Sequence, residues 1–469
     1  MTLPFDTNRS QDAIRTNSRW SLQPTPAWAA ILGLVIFTIL GILAGAGFFR
    51  IGFLALSFSV GIFLYQRYPV LYTGFTWWLY FLTPLLRRLI DYRAGFQTEA
   101  IILAAPFLVT AITLPGFIRY ILKSYPYRQT NLPFVLAFVA ICYSFLIGLV
   151  NLEFSFRLIR TFAEWVSPVA FGFFVSSKWQ NYPTYRKNTQ RIFLWGTLVM
   201  GAYGLVQFIA MPPWDSYWQQ KVVEEVGYVN AIGGESGTAI WGTTNTNGTL
   251  ALLLMPGILL LLTRQSSLSI LAAVIGCLAS LLTNSRTAWI LVLIALFIVI
   301  GNLRSQLQIK IILFALVVGL LVLPLANIQP FSGMISSRLG TLSNVLHDSS
   351  FQGRSAQYTE FLEDGLLNPI GRGLSSVNHP DSGIINVIAE MGWLGATPFL
   401  GALILLVWQM FQASRENDLF MFVARAIAVP LIISPSGNFF SALPAFMIWF
   451  FAGMVMASHR YYQHQLNQP

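Results

Sequence analysis

The sequence predicts an all-α fold: a polytopic transmembrane helical bundle of about 12–14 spans with one large extracytoplasmic loop. Three observations carry that prediction. Hydrophobic residues make up 55% of the chain and charged residues 10%, where a soluble domain carries about 25% charged residues. Mean hydropathy is +0.63. Apolar runs of roughly 17 to 25 residues recur, the length a helix needs to cross a bilayer's hydrocarbon core. These runs are continuous, without the alternation of barrel strands, and lipid admits only helices or closed barrels.

The elements follow in order. Residues 1–26 are polar, with Pro24 and Pro26 ahead of the first span. They do not resemble a cleavable signal, so that span is expected to stay as an anchor. Residues 27–211 form the N-terminal set, with spans near 27–49, 50–66, 68–86, 100–122, 132–151, 158–177 and 191–211. A polar segment, 212–247, reads as an external loop. Residues 248–458 form a second membrane domain with spans near 248–263, 266–283, 287–302, 308–326, 385–411, 419–434 and 441–458. Within it lies the long polar stretch 327–384, which is more than a connector needs. Residues 459–469 read as a tail on the cytoplasmic side, like the N-terminal one.

Basic residues set the orientation, because they stay on the cytoplasmic side of short loops. Lys178, Arg186, Lys187 and Arg191 form one acid-free basic stretch, and Arg119, Lys123 and Arg128 another. Both are predicted to be cytoplasmic, which puts 212–247 and 327–384 together outside. One conflict arises at 68–86: if it spans, Arg87, Arg88 and Arg93 fall outside, so the segment is instead a candidate to lie along the interface. The net charge of +10 is explained by cytoplasmic loops facing anionic membrane lipids, not by nucleic acid. Cys142 and Cys277 sit in separate apolar runs and read as packing residues. The four histidines have no ligand spacing, so neither a metal nor another cofactor is expected.

Candidate chemistry sits in the polar turns. Arg286 closes the turn Thr283-Asn284-Ser285-Arg286 between two apolar runs, on the side that ordinary loops keep free of cations. Arg160, near the outer end of its span, is a weaker version of the same signal and also fits simple snorkelling. In the large loop, Arg354 opens Gly-Arg-Ser-Ala-Gln-Tyr ahead of an amphipathic stretch, and Arg372 lies in Gly371-Arg372-Gly373. Guanidinium groups bind phosphate in bidentate fashion without losing charge, so these arginines suit a diphosphate. His379 and Asp381 come just before the membrane re-entry that holds Glu390, Gly392 and Gly395. A base there would be partly desolvated, which tunes it toward neutrality, while Asp381 or Ser382 also suits a helix N-cap.

The ordered set of WGTTNTNGTLALLLMPGILLLL, TNSRTAW, GRSAQY and NPIGRGLSSVNHPDSGIINVIAEMGWLG resembles the O-antigen ligase and Wzy-type polymerase family over about residues 240–400. The resemblance implies a metal-independent, inverting membrane glycosyltransferase of the bacterial cytoplasmic membrane. Its donor would be a polyprenyl-diphosphate-linked glycan on the external face; its acceptor a glycan unit, a lipid or a protein hydroxyl. Arg286, Arg354 and Asn247 fall at the family's arginine after the polar turn, its loop-helix arginine and its upstream asparagine. Ligases place His-Asn before the re-entering helix. Counted back from Glu390 and Gly392, that slot holds Asp381-Ser382, with His379 two residues earlier. An acidic residue there is more like the polymerases, which makes Asp381 the first candidate base and His379 its rival. Two other classes fit a helical membrane chain: a small-anion (inorganic carbon) transporter, which would place charges at mid-membrane, and a scaffold for polysaccharide export.

Overall fold

The computed structural model describes residues 25–467 except 46, 99, 124–130, 153, 227–238, 262, 264–265, 302–307, 310–367, 377–381, 413–417 and 435–436. Two helices open the chain, α1 (Thr25–Ala44) and α2 (Phe49–Arg67), followed by α3 (Pro69–Ala94). The next span is broken into α4 (Ala105–Ala111) and α5 (Leu114–Leu122). Then come α6 (Leu132–Asn151), α7 (Phe156–Ser177), α8 (Tyr182–Ala210) and α9 (Pro213–Val226). The second half holds α10 (Asn247–Leu261), α11 (Ser267–Leu282), α12 (Arg286–Ile300), α13 (Gly383–Gln412), α14 (Leu419–Ile433) and α15 (Ala442–Leu466). Among the described residues, eight stretches are long and apolar enough to cross a membrane, and α10, α11, α12 and α14 are shorter apolar helices. The protein is thus an all-α polytopic membrane protein, as its composition predicts.

Local sequence sets the helix starts. Ser155, Ser266 and Asp418 adopt extended backbone and accept hydrogen bonds from Leu158, Ser269 and Phe420 N–H, capping α7, α11 and α14. Proline stands in the first turn of α3, α5, α6 and α8, where its missing N–H costs nothing.

Side-chain contacts fix the direction of each helix. At one end, Asn188 of α8 donates to Val70 O of α3, Gln190 to Thr263 beyond α10, and Arg186 pairs with Asp418 ahead of α14. This basic end also carries Lys178, Lys187 and Arg191. At the opposite end, called the loop end here, Arg88 near the close of α3 meets Asp215 just after α8. Ile240 N–H bonds to Leu282 O, and Gly383 N–H to Gly437 O. The segments 211–226, 239–247, 283–285 and 368–376 therefore share the loop end.

Helix α3 corrects the reading of 68–86 as an interfacial segment. It runs the length of the bundle, from the start of α8 to its finish. Its loop-end cations break the basic-inside trend because two of them are neutralised in place. Asp91 takes Arg50 at 2.8 Å and Arg87 at 3.2 Å, and Arg88 is paired with Asp215, both side chains fully buried. The 212–247 segment is likewise more than a loop, since its first half is the helix α9. The basic stretch around Arg186 is the first turns of α8, which begins nine residues before the sequence-predicted 191. Residues 459–466 continue α15.

The core is centred on α7, α8 and α15. Trp77 of α3 is fully buried, with Phe193 and Phe446 at ring distances of 4.7 Å and Phe450 at 5.2 Å. Helices α7 and α15 run parallel and touch through glycine. A Cβ added at Gly172 would lie 2.4 Å from Trp449 O, and one at Gly453 2.4 Å from Gly172 O. Small residues at such seams let backbones approach, which in lipid is the main source of helix attraction. Cys142 and Cys277 lie half-buried on different helices and form no disulfide.

Candidate functional site

Two structural units build the loop end. The first is the segment Trp241–Asn247, clamped between α8 and the α11–α12 turn. Gln207, in the last turn of α8, accepts from Trp241 N–H (3.0 Å) and Gly242 N–H (2.8 Å) while its amide donates to Asp215 Oδ2 (2.8 Å). Arg88 donates to Gly242 O and its guanidinium lies 5.8 Å from the Trp218 ring. Tyr203 adds a second donor to Asp215 at 2.8 Å. Burial pushes the Asp215 carboxyl above its ordinary value, and Arg88, Tyr203 and Gln207 pull against that.

Asn247 at the start of α10 then donates to Thr283 O at 3.0 Å, tying this segment to the turn that leads into α12. In that turn Asn284 adopts φ +57°, a conformation asparagine tolerates better than most residues. Ser285 is extended, so α12 starts at Arg286 and points its N-terminus at the loop end. Guanidinium and helix N-terminus together make a cationic corner suited to an anion. Trp289 is pinned by its indole N–H to Ser280 O at 3.3 Å. Thr243 Oγ1 and Asn245 Oδ1 are buried without a hydrogen-bond partner among the described residues, so the segment has spare polar capacity.

The second unit is the turn Asn368–Ser376. Asn368 Oδ1 accepts from Ile370 and Gly371 N–H, closing a tight turn. The turn seats on a kink in α13 at Gly392, whose φ of 58° and ψ of −178° are available to glycine almost alone. Arg372 N–H bonds to Ala389 O at 3.0 Å, Gly373 N–H to Glu390 O at 2.9 Å, and Leu394 N–H to Pro369 O at 3.1 Å. The turn thereby supplies partners for the helical groups that the kink releases. Helix α6 closes the other side, with Leu374 N–H on Ser144 O, Tyr143 OH on Ile370 O and Asn151 on Arg372 O.

Each sequence candidate can now be placed. Glu390 is 5% exposed, and its Oε1 accepts from Ser375 N–H at 3.1 Å, so it braces the turn that carries Arg372. The Arg372 side chain is exposed, Arg286 and Asn247 are half-buried, and all three lie at the loop end. Arg160 is also there, yet it is 57% exposed and paired with Glu164 one turn on at 2.9 Å, a contact of the kind that contributes little. Arg354, His379 and Asp381 lie outside the described residues; Asp381 directly precedes Ser382, which bridges to Gly437.

Gln207, Asp215 and Arg88 are what the sequence reading missed. The available signal was a glutamine in the last turn of an apolar span and an arginine on the wrong side of the membrane. Gln207→Ala strips partners from two backbone N–H groups, each worth about 1–3 kcal/mol when buried. A drop in thermal stability, with increased proteolysis near Trp241, is the expected outcome. An unchanged melting curve would mean that the clamp is incidental.

Residues 271–400 match the family model described as O-antigen ligase. The matched segment runs from α11 into α13 and contains both Arg286 and the Asn368–Ser376 turn; the Trp241–Asn247 segment lies before it. No curated protein and no solved structure matches the chain.

Proposed function

We propose, from the O-antigen ligase match at residues 271–400, that this chain transfers or polymerises a glycan carried on a polyprenyl diphosphate, at the loop end of its bundle. At family level the activity is of the O-antigen ligase and polymerase type, that of a membrane glycosyltransferase acting on lipid-linked glycans. The observation that carries the reading is the enclosure of the Arg286 corner and the Arg372 turn, both at one end of the membrane bundle, within the matched segment.

In this mechanism Asp381, with His379 as the alternative, takes the proton of an acceptor hydroxyl. The hydroxyl oxygen attacks the anomeric carbon as the bond to the diphosphate oxygen breaks, and a single displacement inverts the centre. Arg286, Arg354 and Arg372 receive the charge that develops on the departing lipid diphosphate, the term that is usually largest in such reactions. Asn247 and Glu390 hold the two arginine-bearing turns. The donor already contains the bond energy, so no nucleotide is required. The loop end faces outside and the basic end the cytoplasm, as lysine and arginine placement favours.

The test is Asp381→Ala and His379→Ala, made singly, with external polysaccharide and lipid-linked precursor measured in cells. Asp381→Ala is expected to lower product by at least about 10²-fold, as for loss of a general base, and to let precursor accumulate. Normal product from a well-inserted Asp381→Ala protein, with loss in His379→Ala, would transfer the role to His379; normal product from both would overturn the mechanism. Chain lengths then separate the two activities. Loss of long chains while single units are still delivered marks a polymerase, the outcome favoured by an acidic residue at the base position.

A further inference from the structure

Far from the loop end, Arg425 sits in α14 six residues from its start at the basic end. It is 1% exposed, and Nε and both terminal nitrogens have no hydrogen-bond partner among the described residues. Two phenyl rings hold it, Phe411 at 4.5 Å and Phe422 at 5.3 Å from the guanidinium carbon. Ring faces attract a cation, but they satisfy none of its five N–H donors. A desolvated guanidinium in that state is costly, and in a membrane bundle such a group marks a binding function by default.

The surroundings indicate the ligand. Phe411 is 42% exposed, and it continues an outward apolar stripe on α13 with Ile404 (69%) and Trp408 (62%). These positions recur at helical spacing, so one side of Arg425 is roofed by a ring that faces lipid. Six residues of helix place the Arg425 backbone about 9 Å from the helix start, within snorkelling reach of the headgroup layer.

We propose that Arg425 binds the phosphate of an anionic glycerophospholipid from the leaflet at the basic end. Phe411 swings aside as the cover of the site, and an acyl chain lies along Ile404 and Trp408. A zwitterionic headgroup carries its own cation and leaves the arginine uncompensated, so a net negative lipid is selected. This site is independent of the glycan chemistry at the opposite end.

The full chain is purified and reconstituted in phosphatidylcholine nanodiscs with and without phosphatidylglycerol, and lipid retention and thermal stability are read. Wild type is expected to retain phosphatidylglycerol selectively and to melt higher in its presence. Arg425→Gln and Arg425→Met should lose that selectivity by roughly ten- to a hundredfold, the weight of hydrogen bonds to a charged group. Phe411→Ala, which removes only the cover, should keep it. Equal retention by wild type and Arg425→Met overturns the proposal. Inorganic phosphate matching phosphatidylglycerol in stabilising detergent-purified protein overturns the lipid assignment.

Discussion

Gly392→Ala should disable the protein more completely than loss of any single brace around it. The methyl group would lie 2.3 Å from Gly371 N and 2.4 Å from Ile370 C and Pro369 O, so the turn must leave its seat. Holding a non-glycine residue at φ 58°, ψ −178° adds about 1–3 kcal/mol of backbone strain, and overpacking typically adds about 1–3 kcal/mol more. The Arg372, Gly373 and Leu394 hydrogen bonds go with the turn. A shift of about 1 Å in a positioning element costs on the order of 10²-fold in rate, so transfer should fall at least that far. Polysaccharide output and the thermal midpoint of the purified variant are the measurements. Gly401 is the internal comparison: it lies further along α13 with open space at its Cβ, so Gly401→Ala should be nearly silent.

Arg286→Ala should lower transfer by about 10²–10³-fold while leaving stability close to wild type, the magnitude typical of removing one group that stabilises developing anionic charge. Arg286→Lys keeps a charge without the bidentate fork and should recover only part of the loss. In vitro transfer from a purified lipid-linked glycan, followed at saturating and limiting donor, separates the outcomes. A rise in KM with unchanged kcat would mean that Arg286 binds ground state and transition state equally; a fall in kcat places it at the departing diphosphate. Normal kcat and KM would remove Arg286 from the mechanism.

Much of this architecture was legible in residue order. Apolar run length alone located most of the described helices of both halves, because membrane length is fixed by the bilayer and not by tertiary detail; the predicted span 308–326 lies almost wholly outside the described residues, and α9 reads as loop in the sequence. The arginine-bearing turns were legible too, since polar residues between spans stand out against such a background. What sequence could not give was pairing across distance. Arg87, Arg88 and Arg93 looked like a topological error until Asp91 and Asp215 were seen to absorb two of the charges, and Asp215 is far from Arg88 in sequence. Glu390 stood out by its place beside the re-entry, and residue order could not show that its carboxylate reaches back to Ser375. Gly371 and Gly392 looked like two ordinary turn or helix glycines, and their positive φ and mutual contact together explain why both must be glycine.

The glycine seam between α7 and α15 has a consequence for biosynthesis. Gly172 and Gly453 meet backbone to backbone, yet most of the chain's length separates them, including all of α8 through α14. At synthesis rates of roughly 5–20 residues per second, the face of α7 that will receive α15 waits on the order of tens of seconds inside the bilayer. During that interval the core lacks the last of its three central helices, so its packing is completed late, when α15 arrives. Closure of the Gly172–Gly453 seam is therefore a late step, taken after α8 to α14 have been made.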